Sequence, residues 1–383
     1  MRRWMAAPLV FAAALGLTDY SDTLSRAHAQ AKGAAPVEET IRTADGMKLK
    51  GLFHATTTPK AGQSAATAPV VILLYSPGVD KSMTKGDWDG LINMLNAEGF
   101  HVFRFDWRGH GKSTDIDTPT GMDIYSGFWT NNFSGPSNMK HIKGAGKKPI
   151  KNDLFVKEIQ PAYFPTYVQD LAAVRCQLDQ RNDQGSLNTS SIYVIATEES
   201  ATLALFWLTA EWNRPAVHPI LPGGLMYQVC PDNRIVVNLE AGRDIAGVVS
   251  LSGVRSQTIP QQTIQSWTKN TLKMRDLNPM LFLHGEKDTA SKSAAHMYYK
   301  EVLVAEGNPG LGVKKLEQTF VREVKGTALK GVGLLGKNGE LKTEDTIIAY
   351  LKQLEKERGN LTVKKRGYVS PYYIDMRFFQ VNP

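Results

Sequence analysis

Cysteine and clustered histidine are scarce in this 383-residue sequence, which has two cysteines and eight scattered histidines. A structural zinc site takes four ligands, mostly Cys and His at short spacings, so there is little basis for one and we predict no metal. The two cysteines, Cys176 and Cys230, leave two alternatives open, a disulfide or two buried thiols. Their spacing in sequence does not give the distance between them.

Long apolar runs and dense basic blocks are also missing. Beyond the N-terminal segment no stretch approaches about 18 uninterrupted apolar residues, so we predict no membrane span. The net charge of +8 would favour anionic partners, but Lys and Arg are scattered, and we predict no nucleic-acid partner. The glycine-rich GLLGKNGE lacks the preceding strand and the following Lys-Ser/Thr pair of a phosphate loop, and we predict no organic cofactor.

The N-terminus resembles an export signal. MRRWMAAPLVFAAALGL places two arginines before an apolar run that is too short to span a bilayer. The small residues in AHA, at positions 27–29, fit a cleavage site. We therefore predict a signal peptide at residues 1–29 and a periplasmic or secreted protein; the alternative is an uncleaved disordered tail.

Strands and helices alternate through most of the chain. ETIRTADGMKLKGLFHAT alternates around Asp45 and Gly46 and predicts a β-hairpin. VVILLYSPG then predicts a buried strand, DWDGLINMLNAEG a helix and HVFRFDW another strand, and the alternation continues to the helix TEDTIIAYLKQLEKE. This order predicts an α/β fold with a mostly parallel central sheet and helices on both faces.

Two regions break this alternation. Residues 114–164, rich in Gly, Asn, Lys and aromatics, are predicted to be a lid insertion in a core formed by residues 37–113 and 165–358. Residues 254–278 are predicted to be a second lid or binding loop. The C-terminal tail, residues 359–383, ends in the aromatic GYVSPYYIDMRFFQVNP, which is predicted to pack as an added strand; the alternative is use as an interface. The sequence predicts no oligomeric state.

Three segments carry motifs, in the order FRFDWRGHGKS, YVIATEESA and LFLHGEKD. Together they resemble the α/β-hydrolase fold superfamily of esterases, lipases and serine peptidases, over residues 37–356. The first is similar to its D-x-R-G-x-G-x-S strand end, the second falls at its nucleophile elbow, and the third is similar to its H-G-x-x-D acid stretch. The matches to the first motif are Asp106, Arg108, Gly109, Gly111 and Ser113.

Glutamate occupies the predicted nucleophile position. The family's G-x-S-x-G elbow needs small residues two positions before and after the nucleophile, because the turn is crowded there. Ala196 and Ser200 fit these positions and place Glu198 at the apex, and the resemblance makes Asp288 the triad acid. An alternative register makes Ser200 the nucleophile, but it puts Glu198 and Thr202 at the crowded positions.

The histidine of the family's triad has no counterpart. No histidine follows His296, and counting places the vacant position near Leu329 or Lys330. Two carboxylates gathered at the old site would repel each other unless a cation intervened. We therefore predict that Lys325 or Lys330 forms ion pairs with Glu198 and Asp288.

Further pocket positions follow from the resemblance. An oxyanion-hole amide is expected at Pro77 or Gly78, although a proline has no N–H to donate. The amide of Glu199 is the second donor position, and His110 is expected to shape the pocket. Lid aromatics are predicted to contact a small-molecule ligand or, alternatively, to pack the lid onto the core. These aromatics are Tyr125, Phe128, Trp129 and Phe133.

Three hypotheses on function follow. The first is an exported pseudoenzyme that has kept the fold, has lost serine-hydrolase chemistry and binds a small ligand. The alternative is an active hydrolase of esters or peptides that uses Glu198 or Ser200. The third is a structural or interaction protein without a ligand cavity.

Overall fold

One sheet of eight strands lies at the centre of the fold. The computed structural model describes residues 35–60, 62–117, 128–129, 138–144, 152–214, 241–303, 319–359, 361–367 and 371–381. These described residues belong to one compact unit. The strands are, in chain order, β1 (Val37–Arg42), β2 (Lys48–His54), β3 (Val70–Leu74), β4 (His101–Phe105), β5 (Ile192–Thr197), β6 (Ile245–Leu251), β7 (Met280–Gly285) and β8 (Phe320–Val324).

The strands lie side by side in the order β1-β2-β4-β3-β5-β6-β7-β8. The pairs β1–β2 and β2–β4 are antiparallel, and every other neighbouring pair is parallel. β3 and β5 are buried along their whole length, as expected for the apolar runs VVILL and IYVIAT in strands covered on both faces. The predicted α/β class and mostly parallel sheet are confirmed.

Two groups of helices cover the sheet. The α-helices are α1 (Trp88–Ala97), α2 (Val168–Asp183), α3 (Ser200–Trp212), α4 (Gln261–Asn270), α5 (Leu272–Leu277), α6 (Thr289–Met297), α7 (Asn338–Leu341) and α8 (Thr343–Arg358). α1 packs against β4 and α8, whereas α2 packs against α3, which contacts β5 and β6. This arrangement confirms the prediction of helices on both faces. None of the described helices is both long and apolar enough to cross a membrane.

Short helical turns connect several of these elements. The turn Gly331–Leu334 follows β8 and lies beside the candidate site. The others are Ala65–Thr67, Asn138–His141, Val156–Glu158, Pro161–Tyr167, Ala241–Asp244, Tyr298–Leu303 and Met376–Phe379.

The D-x-R-G-x-G-x-S motif forms a tight turn after β4. The Ser113 hydroxyl donates a hydrogen bond to Asp106 O (2.7 Å) and accepts one from the N–H of Lys50 (2.8 Å). Gly111 has a φ of +48°, and a Cβ there would lie 2.1 Å from Asp106 Oδ2. Both the backbone conformation and the close approach therefore require glycine at this position.

Arg108 of the same motif joins three parts of the chain and is fully buried. Its guanidinium donates to Asp45 Oδ2 (2.6 Å) in the hairpin turn and to Asp170 Oδ1 (2.7 Å) in α2. Tyr163 Oη accepts a third hydrogen bond at 2.9 Å. A buried charge needs such partners, so in this chain Arg108 has a structural role.

Residues 254–278, predicted to be a second lid or binding loop, contain the helices α4 and α5 after a short loop. The prediction of a strand in the tail is wrong. The described part of the tail, residues 361–367 and 371–381, contains a short helical turn and no strand. Its backbone at Ile374 pairs with the side-chain amide of Gln169, which donates to Ile374 O (2.6 Å) and accepts from Ile374 N (2.9 Å). Tail residues that fill the core replace the expected strand pairing.

The described parts of the insertion pack onto the core. Phe128 and Trp129 are both buried. The Phe128 ring lies 5.2 Å from that of Tyr373, and the Trp129 indole N–H donates to Asp45 O. These contacts fit the packing alternative for the two aromatics.

Other predictions fall outside the described residues. These are the signal peptide at residues 1–29, the lid aromatics Tyr125 and Phe133, and Cys230. Cys176 is buried in α2, and its Sγ accepts a hydrogen bond from Gln180 Nε2 at 3.6 Å. The question of a disulfide therefore stays open.

Candidate functional site

A sharp turn between β5 and α3 presents Glu198 at the carboxyl edge of the sheet. The strand ends at Thr197, and Glu198 has a φ of +49°, in the left-handed region that side chains other than glycine rarely adopt. Its N–H donates to Leu251 O (3.1 Å), and its carbonyl accepts from the N–H of Val254 (3.3 Å). The end of β6 thus holds the apex in a conformation that costs about 1–2 kcal/mol.

Ser200 lies in the first turn of α3 and is fully buried. Its hydroxyl donates to Leu74 O at 2.9 Å and also lies 2.6 Å from Thr197 O. A hydroxyl held against two carbonyl oxygens inside the protein is not presented to a ligand. The structure therefore places Ser200 in the crowded position of the elbow and Glu198 at the apex.

Asp288 follows β7 and caps α6, where its carboxylate accepts from the N–H of Ser291 at 3.3 Å. Its side chain is buried, and Oδ2 has no hydrogen-bond partner among the described residues. Lys330 Nζ lies 3.5 Å from Asp288 Oδ1, with the lysine side chain 54% exposed. The lysine thus occupies the neighbourhood in which the family's histidine is expected.

Glu198 faces the same turn. A Cβ added at Gly331 would lie 3.2 Å from Glu198 Cγ and 3.4 Å from Glu198 Oε1, so the carboxylate lies directly beside the residue that follows Lys330. The structure brings Glu198, Asp288 and Lys330 together at one edge of the sheet. Lys325 does not join them, because its ammonium pairs with Glu286 and Glu323 and its side chain is 74% exposed. The predicted ion pair of Lys330 with Asp288 is present, but among the described residues no lysine forms a salt bridge with Glu198, so the predicted pair with Glu198 is not found.

A cavity of about 270 Å³ opens above the apex, and we call it the elbow cavity. Its lining includes Glu198, Lys330 and the loop that follows β3. That loop contributes Asp80, Lys81 and Lys85, which the sequence analysis did not single out. A usable signal was present, since loops at the carboxyl ends of parallel strands commonly form binding sites.

The oxyanion-hole position after β3 is not free. The N–H of Gly78 donates to His110 Nε2 at 2.9 Å. Because this nitrogen accepts, the proton of the neutral ring is on Nδ1, which donates to Arg108 O at 2.9 Å. Burial lowers the pKa of His110 below its ordinary value, which favours this neutral form. Pro77 has no N–H to donate. Of the predicted oxyanion-hole positions, the Glu199 amide is therefore the one whose N–H is not bound to His110.

The other histidines near the sheet edge are not placed as a base. His284 is fully buried in β7, and His296 is exposed on α6 with its ring 6.4 Å from that of His284. Neither residue lines the elbow cavity. Among the described residues no group of three or more His, Cys, Asp or Glu side chains is placed to hold a metal ion.

Comparisons with known proteins give distant structural similarity. No family model matches the sequence, and no curated protein is detectably similar to it. An esterase of Pyrococcus furiosus is 15% identical, covering 83% of this chain and 90% of its own, with a TM-score of 0.46. A thermostable carboxylesterase cloned from a metagenomic library is 12% identical, covering 87% and 93%, with a TM-score of 0.46.

A third solved structure, an esterase from Rhizomucor miehei, is 12% identical and covers 85% of both chains with a TM-score of 0.44. The topology of the chain itself identifies the fold. Its strand order has an antiparallel start followed by six parallel strands, and a left-handed residue lies between β5 and α3. By this strand order and this elbow, the chain has the α/β-hydrolase fold.

Proposed function

We propose that this protein is an exported pseudoenzyme, in which serine-hydrolase chemistry has been replaced by binding of a small anionic molecule in the elbow cavity. The observation that carries the proposal is the pairing of Lys330 with Asp288 beside Glu198. Two of the three triad positions, those of the nucleophile and the base, hold groups that cannot act as a serine nucleophile or a histidine base. The backbone geometry of the elbow is kept.

The chemistry of these groups argues against acyl transfer. A serine nucleophile needs a neighbouring base with a free lone pair, and a lysine ammonium is a donor without one. An ionised Glu198 is a weak acyl acceptor, and an ester formed on it would need a base to activate the hydrolytic water. The Gly78 N–H, bound to His110, would not stabilise an oxyanion.

The charges in the elbow cavity favour an anionic ligand. Lys81, Lys85 and Lys330 line it, against the carboxylates of Asp80 and Glu198. Lys330 is paired with Asp288, but neither Lys81 nor Lys85 has a carboxylate within salt-bridge distance in the described part of the chain. Two ammonium groups at the mouth of a cavity of about 270 Å³ suit a small carboxylate or phosphate.

An ester panel tests the loss of chemistry. Residues 30–383 and the variants Glu198→Gln and Ser200→Ala are assayed with p-nitrophenyl acetate, butyrate and octanoate. The expected result is equal, background hydrolysis in all three proteins. Turnover that either variant abolishes would support the active-hydrolase alternative and overturn the proposal.

Calorimetric titration with succinate and with inorganic phosphate tests ligand binding. The double variant Lys81→Met/Lys85→Met should raise Kd by about tenfold or more, the effect of losing one to two charge-assisted hydrogen bonds. The matched control is Lys325→Met, which removes an exposed lysine outside the cavity and should leave Kd unchanged. An equal loss in both proteins would point to nonspecific attraction by the basic surface.

A further inference from the structure

A second cavity, of about 190 Å³, lies beside the other glutamate of the elbow. We call it the Glu199 cavity. The loop after β3 lines both cavities with different residues. Pro77 and Gly78 line the Glu199 cavity, whereas Ser76 and Val79 line the elbow cavity. Since Glu198 lines one cavity and Glu199 the other, consecutive residues supply a carboxylate to each.

Apolar and aromatic side chains form much of the remaining lining. They include Ile159 and Phe164, at the described end of the insertion, and Tyr167, just after it, beside the polar Gln160. The rings of Phe164 and Tyr167 are edge-to-face with centroids 6.1 Å apart, and both side chains are largely buried. Such rings offer a negative π-face to a cation.

Glu199 is a half-buried acid whose negative charge is stabilised by few neighbouring groups. Burial raises the pKa of its carboxyl, which accepts a hydrogen bond from the backbone of Gln257, another residue of the cavity wall. No cationic side chain forms a salt bridge with it within the described ranges. An uncompensated negative charge in an apolar cavity is favourable only when a positive charge can approach it.

We propose that the Glu199 cavity is a binding site for a small alkylammonium cation. Glu199 neutralises the charge of the cation, while Phe164 and Tyr167 contact its alkyl substituents and its positive surface. A volume of about 190 Å³ is roughly six times that of a water molecule in the liquid, enough for one substituted ammonium group.

The test is a titration of the protein with choline and with 3,3-dimethylbutan-1-ol, a neutral molecule of nearly the same shape. Binding is followed by calorimetry and by the NMR linewidth of the methyl groups. The expected result is that choline binds about tenfold or more tightly than the alcohol, since only choline gains the carboxylate and cation–π attraction.

Three variants locate the site. Glu199→Gln keeps the shape and an acceptor for the Gln257 N–H, and it should weaken choline binding about tenfold while leaving the alcohol unaffected. Phe164→Leu keeps apolar volume but removes the ring, and it should weaken choline binding several-fold. Glu340→Gln, at an exposed carboxylate that lines neither cavity, is the control and should change choline binding less than threefold. Thermal melting shows that each variant is folded.

The outcomes separate this site from the proposed anion site. Equal affinity for choline and the alcohol, or no binding of choline at millimolar concentration, overturns the cation site. So does an equal loss in Glu340→Gln and Glu199→Gln. None of these results bears on succinate or phosphate binding at Lys81 and Lys85, whose failure would leave the cation site standing.

Discussion

Lys330 Nζ lies 3.5 Å from Oδ1 of the buried Asp288. The two residues belong to different loops at the carboxyl edge of the sheet, and Glu198 lies beside the same turn. An ammonium group therefore stands where the resemblance predicts an imidazole. It supplies positive charge to a buried carboxylate that otherwise has one N–H bond, from Ser291.

Removing this lysine should destabilise the fold. Lys330→Met leaves the carboxylate of Asp288 with a single donor, and we expect a loss of about 1 kcal/mol in the free energy of unfolding, since the lysine is half exposed. A double-mutant cycle with Asp288→Asn, followed by urea denaturation, should give a coupling energy of about 0.5–1 kcal/mol. A coupling energy of zero would contradict a specific pair, whatever the losses in the single variants.

The backbone is left-handed at Glu198 but not at Glu199. Substitution by glycine should therefore change the free energy of unfolding in opposite directions at these two positions. Glu198→Gly should raise the free energy of unfolding by about 1 kcal/mol, because glycine adopts a φ of +49° without strain. Glu199→Gly, at a φ of −66°, should lower it by about 0.5–1 kcal/mol. Urea denaturation of both variants measures the difference, and changes of the same sign would show that the apex is not strained.

The retained elbow also predicts that catalysis can be installed. The double variant Glu198→Ser/Lys330→His places a hydroxyl at the apex and an imidazole near Asp288. General-base catalysis contributes about 10²–10⁴-fold, so p-nitrophenyl acetate turnover in the double variant should exceed that in either single variant by about 10²-fold.

A third change, Asp288→Asn, should remove most of this gain, because the imidazole loses its partner. The rate should stay well below that of a natural esterase, since the Gly78 N–H remains bound to His110 and a missing oxyanion donor costs about 10²–10³-fold. Equal rates in single and double variants would mean that residues 198 and 330 are not within reach of each other.

The bond between Gly78 and His110 predicts a pH dependence of stability. The folded protein holds His110 neutral, with its pKa below the ordinary 6.5, because burial disfavours the charged ring. The stabilisation is therefore present above pH 6.5 and is lost as the pH falls through 6.5 towards the folded-state pKa. This single group contributes a slope of up to about 1.4 kcal/mol per pH unit.

The measurement is urea denaturation of the wild type and of His110→Asn at pH 7.5 and 5.5. All other titratable groups are the same in both proteins, so the difference between the two slopes isolates His110. The wild type should lose more stability than the variant on acidification. Parallel curves would show that His110 is already protonated in the fold or does not interact with Gly78.

Much of the fold was predictable, because its signals are local. The apolar run of β3 and the small residues Ala196 and Ser200 around Glu198 each follow from spacing of a few residues. The helix α4 was missed because QQTIQSWTKN is polar and buries only Thr263, Ile264, Trp267 and Thr268. Four residues on one face are too weak a pattern when the rest of the segment resembles a loop.

The site was only partly predictable, because its decisive contacts join distant residues. The Gly78 bond to His110 connects a backbone N–H with a side chain 32 residues away, and no local pattern encodes it. Lys81 and Lys85 were not among the predicted site residues, because their position on the cavity depends on the conformation of the loop after β3. Side-chain orientation depends on the packed fold, and sequence spacing alone does not give it.

The two hydrogen bonds between the Gln169 side chain and the Ile374 backbone can form only late in synthesis. The two residues are 205 positions apart. At about 5–20 residues per second, a ribosome needs roughly 10–40 s between them. During that interval the side-chain amide of Gln169 lacks its partner, and the apolar residues that the tail later covers are exposed to water. This part of the core can therefore be completed only after the last segment of the chain has emerged from the ribosome.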